Sequence, residues 1–157
     1  MHPEEPHFQP ADPDFAARVR ESFSRQGLMQ TLGAHLEEVL PGFCEIRLPF
    51  RPGLSQQHGF FHAGVTAAIA DSAGGYAAFS LMAPGDSILS VEYKINLLAP
   101  ARGDLLIARG HVLRSGRTLS VCRVDVTARR DGAQTLCATM QQTLARVRER
   151  PDLPGPG

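Results

Sequence analysis

A long apolar segment near the middle of the chain constrains its fold more than any other feature. Residues 62–82 read HAGVTAAIADSAGGYAAFSLM, interrupted by one acid, Asp71. A helix that is apolar on every side is either buried in a protein or embedded in a membrane. About 20 apolar residues would span a bilayer, but a carboxylate near the centre, a Gly-Gly pair and two serines disfavour a membrane span. We therefore predict a central buried helix.

Short segments with the two-residue periodicity of β-strands flank this helix. The predicted strands are 31–39, 43–50, 89–97, 104–113, 119–128 and 133–147. Gly, Pro and Asp residues mark the turns, including a tight hairpin at 130–132. A further helix is predicted over 15–26, capped by Asp14 and ended by Gly27. This order predicts an α+β domain in which an antiparallel sheet wraps one long central helix.

The strand over 89–97 alternates most clearly between apolar and polar residues. Its two predicted faces are Leu89, Val91, Tyr93, Ile95 and Leu97 on one side and Ser90, Glu92, Lys94 and Asn96 on the other. Strict alternation predicts that the first face packs inside and that the second is polar. On this basis alone, Ser90 is a polar-face residue of a strand.

The length and the charge of the chain limit its possible domain organisation and its possible partners. Its 157 residues fit a single domain, predicted over 14–147, with a flexible arm at 1–13 and a disordered tail at 148–157. Sixteen basic and sixteen acidic residues give zero net charge, which argues against a nucleic-acid binder. Three widely spaced cysteines match no disulfide framework, and the acidic, proline-rich N-terminus does not match a signal peptide. The expected location is the cytoplasm.

The polar loop that enters the central helix carries the candidate chemistry. It reads QQHGFFHAG over 56–64, where the small residues Ala63 and Gly64 leave backbone N–H groups accessible. A helix N-terminus has unpaired N–H donors and a partial positive charge, which suit a developing oxyanion. Asp71 is a lone carboxylate on the same helix. An activated carbonyl held by N–H groups, with a carboxylate beside it, favours acyl transfer or hydrolysis.

Spacing along the helix restricts how these two groups can cooperate. Ala63 and Asp71 are eight residues apart, hence separated by about 12 Å at a rise of about 1.5 Å per residue. One helix cannot bring both groups to one carbonyl. If both act in one site, they come from two subunits, so the spacing predicts a two-fold homodimer with two composite sites.

Each candidate also has a purely structural interpretation. Asp71 can be a buried acid bonded to Ser or Thr neighbours, and His62 can be a hydrogen-bonding residue at a helix entry. Arg114 and Arg117 can form a solvated hairpin tip. His58 and His62 are four residues apart, but the loop between them and the lack of a further ligand argue against a metal site. No metal is predicted.

The segment over 56–71 resembles a known family. Its pattern, Q-x-H-G-x-x-H-A-G-x(6)-D, is similar to the pattern N-x-x-G-x-x-H-G-G-x(6)-D of the PaaI-type acyl-CoA thioesterases in the hotdog superfamily. Two later segments are also similar: SVEYKINLLAPA, which begins at Ser90, and HVLRSGRTLSVCRVDV over 111–126. The resemblance covers 32–147. It implies an enzyme with a hotdog fold that hydrolyses an acyl-CoA to an acid and free CoA, without a cofactor.

The resemblance implies a role for each residue that matches the family pattern. Asp71 would be the general base or the nucleophile, and the N–H of Ala63 would be the oxyanion donor. His62 would order the loop, Gln56 would position water or the carbonyl, and Ser90 would lie near the carboxylate. The implied substrate-binding residues, with CoA phosphates at the two arginines, are Phe61, Gly64, Asn96, Arg114, Gly116, Arg117 and Thr118. The candidate walls of the acyl pocket are Phe60, Phe61, Tyr76 and Phe79.

Two departures from the family pattern keep two rival functions open. Gln56 stands where the family has Asn, and Ala63 stands where it has Gly, which keeps the N–H donor but excludes a backbone with positive φ. The rivals are a non-catalytic acyl-CoA-binding hotdog protein and a hotdog acyl-thioester hydratase. The expected partners are a small-molecule acyl-CoA and further copies of the chain, as a homodimer whose dimers pair into a homotetramer. Neither nucleic acid nor a membrane is an expected partner.

Overall fold

The computed structural model describes residues 7–150, and within this range the chain forms three α-helices and six β-strands. In chain order the elements are α1 (Phe15–Ser24), α2 (Gly27–Leu32), β1 (His35–Leu40), β2 (Phe43–Pro49), a 3₁₀ turn (Pro52–Leu54), α3 (Ala63–Phe79), β3 (Ser87–Leu97), β4 (Leu105–Ser115), β5 (Leu119–Arg130) and β6 (Ala133–Val147). The first six residues of the predicted arm and residues 151–157 of the predicted tail lie outside the described residues.

The six strands form one antiparallel sheet that encloses α3. The strand order is β1-β2-β4-β5-β6-β3, so β1 and β3 are the two edges. Because α3 contacts all six strands, the sheet must curve around the helix. The predicted α+β architecture, an antiparallel sheet wrapped around one long central helix as in the hotdog fold, is confirmed. Within residues 7–150, no helix is long and apolar enough to cross a membrane.

Small residues allow the sheet to approach the backbone of α3. Ala73 and Ala77 on the helix are fully buried. On β4, Gly110 has no room for a side chain, since an added Cβ would lie 2.5 Å from the carbonyl oxygen of Ala73. The central helix predicted over 62–82 is confirmed, although it ends earlier, at Phe79.

The segment between the first helix and the sheet differs from the prediction. The strand predicted over 31–39 begins only at His35, because its first residues lie in α2. Met29 and Leu32 bury their side chains with helical spacing, and Gly33 ends the helix with a φ of 77°. That left-handed conformation is the usual helix terminus for glycine.

The boundaries predicted for the first helix are also wrong in detail. α1 ends at Ser24, and Gly27 begins α2 instead of ending the first helix. Asp14 occupies the N-cap position but its side chain accepts no capping hydrogen bond. The Asp12 carboxylate accepts the N–H of Asp14 itself, at 2.9 Å, immediately before the helix.

Part of the predicted arm packs against the domain. Phe8 is partly buried against the core, and its ring lies so close to Gly42 that an added Cβ there would be 2.5 Å from it. Asp12 forms an ion pair with Arg18 at 2.9 Å. These contacts attach this stretch to α1 and to the turn between β1 and β2.

Candidate active site

Asp71 lies in the middle of α3 and is held by a polar cluster that bridges the helix to β3 and β6. Its Oδ1 atom accepts a hydrogen bond from the Ser90 hydroxyl at 2.7 Å and another from the Gln142 amide. The same Gln142 nitrogen lies 3.0 Å from the Ser90 oxygen and 3.3 Å from the Asp71 carbonyl oxygen. Among residues 7–150, Oδ2 of Asp71 has no hydrogen-bond partner. The carboxylate therefore has one engaged oxygen and one available oxygen.

A β-bulge in β3 brings Ser90 to this cluster and corrects the predicted faces of the strand. Ser90 pairs with Leu144, whereas Glu92 pairs with Thr143, so the register shifts by one residue between them. Ser90 and Leu144 thus share the face toward α3. Tyr93 is opposite Gln142 on that same face. Before the bulge, Leu89 faces outward, so the five apolar residues do not share one face as strict alternation predicted.

Gln142 was not among the predicted site residues, although a sequence signal for it exists. It lies on β6 between Met140 and Leu144 in the row of alternate residues that face the helix. Both neighbours are buried and apolar, and Gln142 is fully buried. A lone amide in an apolar, core-facing row indicates a specific polar partner, because burying it without one costs about 1–3 kcal/mol. That partner is Asp71.

The N-terminus of α3 presents one free backbone donor. His62 is the N-cap residue, and its Nδ1 atom accepts the N–H of Gly64 at 2.8 Å. Its carbonyl oxygen accepts the N–H groups of Val65 and Thr66. The remaining N–H of the first turn, that of Ala63, donates to no group in the described part of the chain, and Ala63 is exposed. With Nδ1 as acceptor, a neutral His62 ring carries its hydrogen on Nε2.

The loop before α3 is closed by its own hydrogen bonds. The Gln56 side chain accepts the N–H of His58, and its backbone N–H donates to the Phe60 carbonyl at 2.9 Å. Gly59, with a φ of 80°, makes the turn possible. The amide of Gln56 therefore stabilises the loop in this structure, and a contact with water or substrate remains a prediction.

Two separate cavities open beside these groups. One, of about 130 Å³, is lined by Asp71 and Ser90 together with Tyr76 and Phe79. The other, of about 460 Å³, is lined by Gln56, Phe60, Phe61, Ala63, Leu97 and Cys137 at the start of α3. The four aromatic residues predicted as acyl-pocket walls are thus divided between two cavities. Within one chain, the carboxylate and the free N–H do not face a common space.

The basic hairpin predicted to bind CoA lies at the same end of the sheet as Ser90. Arg114, Arg117 and Thr118 are exposed, and neither arginine has an ion-pair partner among residues 7–150. Gly116 closes the turn by donating its N–H to the Leu119 carbonyl at 2.8 Å. The strand β5, which follows this turn, pairs with β6, and β6 pairs with β3, which carries Ser90. Since neighbouring strands lie about 5 Å apart, the hairpin and Ser90 are separated by about 10 Å across the sheet.

The remaining predicted binding residues lie in different environments. Gly64 is exposed in the first turn of α3, and Phe61 is buried beside the larger cavity. Asn96 pairs with Thr139 on the outer face of the sheet and accepts a hydrogen bond from Lys94 at 2.5 Å. The structure therefore does not bring Asn96 together with Asp71 or Ala63.

The three cysteine thiols are predicted to be unreactive in the folded protein. Burial raises the pKa of the Cys44 and Cys122 thiols to about 12 and that of Cys137 to about 11. Because the thiolate is the reactive form, we expect the native protein to react with Ellman's reagent at least about 100-fold more slowly than the protein in guanidinium chloride. Rapid modification of the native protein would contradict this. The same measurement shows whether protein thiols interfere with detection of a released thiol.

Comparisons with known proteins agree with this geometry. Residues 58–134 match the thioesterase superfamily. The crystal structure of a thioesterase family protein from Silicibacter pomeroyi has 46% sequence identity and a TM-score of 0.84, covering 85% of this chain and 98% of that one. The E. coli PaaI protein from the phenylacetic acid degradation operon has 20% identity and a TM-score of 0.78, covering 87% and 96%.

A relative with an assigned reaction is found in Listeria monocytogenes. Its 1,4-dihydroxy-2-naphthoyl-CoA hydrolase is 24% identical over 79% of this chain and 98% of that protein. The thioesterase match includes the loop from His58, the whole of α3 with Asp71, and the strands β3, β4 and β5. With its hotdog fold, this chain belongs to the thioesterase superfamily and is a thioester hydrolase.

Proposed function

We propose that the protein is an acyl-CoA thioesterase whose two active sites each combine residues of two subunits. The observation that carries the proposal is the pair of available groups on α3, the Ala63 N–H and a carboxylate oxygen of Asp71, each beside its own cavity. The relative from L. monocytogenes is named for an acyl-CoA substrate. Arg114 and Arg117, which have no ion-pair partner in the described part of the chain, supply positive charge suited to the phosphates of CoA.

In the proposed reaction, Asp71 acts as a general base on a water molecule. Its carboxylate takes a proton from the water while the oxygen forms a bond to the thioester carbonyl carbon. The negative charge that develops on the carbonyl oxygen is stabilised by the Ala63 N–H of the neighbouring subunit. Collapse of this tetrahedral intermediate breaks the C–S bond. The proton held by Asp71 then passes to the CoA sulfur, which leaves a carboxylic acid and free CoA.

The edge strand β3 supports a homodimer with sites at the interface. Within residues 7–150 its main chain pairs with a strand on one side only, and Leu89, Val91, Tyr93 and Leu97 are between 49% and 59% exposed. A long apolar edge strand is a template for pairing with another chain. Because Ser90 on this strand contacts Asp71, pairing here would place each carboxylate near the partner subunit. The pairing of two dimers into a tetramer stays a prediction.

The basic hairpin gives a prediction about affinity. Replacing Arg114 and Arg117 together with glutamine is expected to raise KM for acyl-CoA about tenfold, because two exposed charge contacts contribute up to about 1 kcal/mol each. We expect kcat to change less than KM, since the phosphates are remote from the reacting carbonyl. A truncated thioester without the nucleotide should not distinguish the two proteins.

The matched control for this variant is the double replacement Arg129→Gln/Arg130→Gln. It removes the same charge from the hairpin at the other end of the sheet. An equal rise in KM in the control would show that only net charge matters and would contradict a phosphate site at 114–118.

The proposed function is tested by measuring thiol release from a panel of acyl-CoAs of differing chain length and aromatic character. Turnover of at least one member, with loss of turnover in Asp71→Ala, is the expected result. Retained CoA binding without turnover on any thioester would favour the binding protein. Hydration of an enoyl-CoA without thiol release would favour the hydratase.

A further inference from the structure

We propose that Gln142 is a positioning residue that fixes Asp71 so that Oδ2 is the oxygen that accepts the proton from water. This inference rests on the proposed role of Asp71 as the base. Gln142 lies where β6 packs against α3, outside the segment 56–71 that carries the sequence motif.

The surroundings determine which end of the Gln142 amide faces Asp71. Two of the atoms nearest to it, Oδ1 and the carbonyl oxygen of Asp71, can only accept hydrogen bonds. The NH₂ end must therefore point at them, because the opposite orientation would place oxygen against oxygen. The Ser90 oxygen accepts from the same NH₂ group and donates its own hydrogen to Oδ1. The three side chains thus form a consistent set of donors and acceptors.

The consequence is an asymmetric carboxylate. Oδ1 receives two hydrogen bonds, while Oδ2 receives none from residues 7–150, and Asp71 is one of the residues that line the cavity beside Tyr76 and Phe79. The two donors hold Oδ1 in place and restrain the rotation of the carboxylate about χ2. Oδ2 is therefore the oxygen left available to take a proton from a water molecule.

The other end of the amide indicates that this arrangement is not optimised for stability. The Gln142 Oε1 atom is buried and has no hydrogen-bond partner in the described part of the chain. An unpaired buried acceptor is destabilising, and an apolar side chain like those of Met140 and Leu144 would avoid it. The chain retains an amide at this position, where its one useful set of contacts is with Asp71 and Ser90.

Gly74 provides the space that the amide occupies. A Cβ added at this position would overlap with the Gln142 Oε1 atom and lie 3.0 Å from Val124. Since Oε1 is the end of a flexible side chain, we expect the amide to move away from an added Cβ and to weaken its contacts with Asp71. The neighbouring Gly75 has no such restriction, because its added Cβ would meet only Leu144, at 3.9 Å.

The first test compares Gln142→Met with the control Gln141→Met, which changes the adjacent, outward-facing residue. Methionine has a similar length and no N–H donor. We expect Gln142→Met to lower kcat about tenfold with KM changed less than about twofold, and to leave the melting temperature unchanged or raised. Gln141→Met should behave as the wild type.

A second variant tests the same contact without altering Gln142. Gly74→Ala is expected to lower kcat in the same way, and the double variant Gly74→Ala/Gln142→Met should lose no more activity than Gln142→Met alone, because both changes remove one interaction. Gly75→Ala serves as the control for helix propensity in thermal melts. A Gly74→Ala protein with wild-type kcat would count against the inference.

Measuring Asp71→Asn in the same series separates the proposed role of Gln142 from the proposed role of Asp71 as the base. If Asp71→Asn is inactive but Gln142→Met retains wild-type kcat, Gln142 is a structural residue and only this inference is overturned. If Asp71→Asn retains full activity, the proposed base is wrong and the positioning role is overturned with it. Loss of kcat in both variants, with KM changed less than about twofold in Gln142→Met, supports both.

Discussion

Replacing Asp71 with asparagine is expected to lower kcat for acyl-CoA hydrolysis by about 10²–10⁴-fold, the usual contribution of a general base. Asparagine has nearly the same shape, and its carbonyl oxygen can accept the hydrogen bonds that Ser90 and Gln142 give to Oδ1. Its NH₂ group, however, cannot take a proton from water. The loss should therefore appear in kcat, with KM and the melting temperature close to those of the wild type.

Asp131→Asn is the matched control for this substitution. Asp131 lies in the exposed turn between β5 and β6 with a φ of 51°, a conformation that asparagine adopts readily. The same atoms are exchanged at a distance from the cavities, so activity should be unchanged. Equal activity of Asp71→Asn and Asp131→Asn would remove Asp71 from the mechanism.

A single-turnover reaction in ¹⁸O-labelled water examines how Asp71 acts. With Asp71 as a general base, the oxygen of water forms the bond to the acyl carbon, so the released acid carries the label from the first turnover. If the carboxylate were the nucleophile and water then attacked the Asp71 carbonyl, the first acid released would carry an oxygen from Asp71 and no label. Recovery of unlabelled acid would contradict the proposed role.

The central helix and the location of the candidate site could be predicted from the sequence because both depend on local patterns. An apolar segment of this length has to be buried, whatever surrounds it. Helical rise alone separates Ala63 from Asp71 by about 12 Å, and the structure places them beside different cavities. The His62 N-cap likewise depends on residues adjacent in sequence.

Features that depend on distant pairing could not be predicted from the sequence in this way. The bulge that turns Ser90 toward α3 is a one-residue shift between β3 and β6, and strict alternation places this serine on the wrong face. Gln142 is 71 residues from Asp71, so their contact exists only after the sheet has formed. Helix α2 is not predicted, and the strand predicted over 31–39 includes its last two residues, because six residues are too few for a clear period and the end of the helix depends on the left-handed Gly33.

Removing the N–H of Ala63 is expected to lower kcat by about 10²–10³-fold, the usual effect of losing one oxyanion donor. Ala63→Pro achieves this with little other change, because proline is well tolerated at the first position of a helix. The preceding His62 already has the extended conformation that a following proline requires, with φ −65° and ψ 140°. Ala63→Gly retains the N–H and should remain active. A fully active Ala63→Pro protein would exclude this donor.

Mixing Asp71→Asn and Ala63→Pro subunits should restore activity, although each protein alone is nearly inactive. In a mixed dimer, one composite site receives Asp71 and the Ala63 N–H from the two intact positions, and the other site lacks both. Random exchange makes about half of the dimers mixed, so the expected activity is about a quarter of that of the wild type. Subunits are unfolded together and refolded, and the dimer is verified by sedimentation. Activity no greater than the sum of the two variants would show that each site is built within one chain. Because about 12 Å separates the two groups on α3, the helix would then have to change its conformation. Circular dichroism and a crystal structure would detect that change.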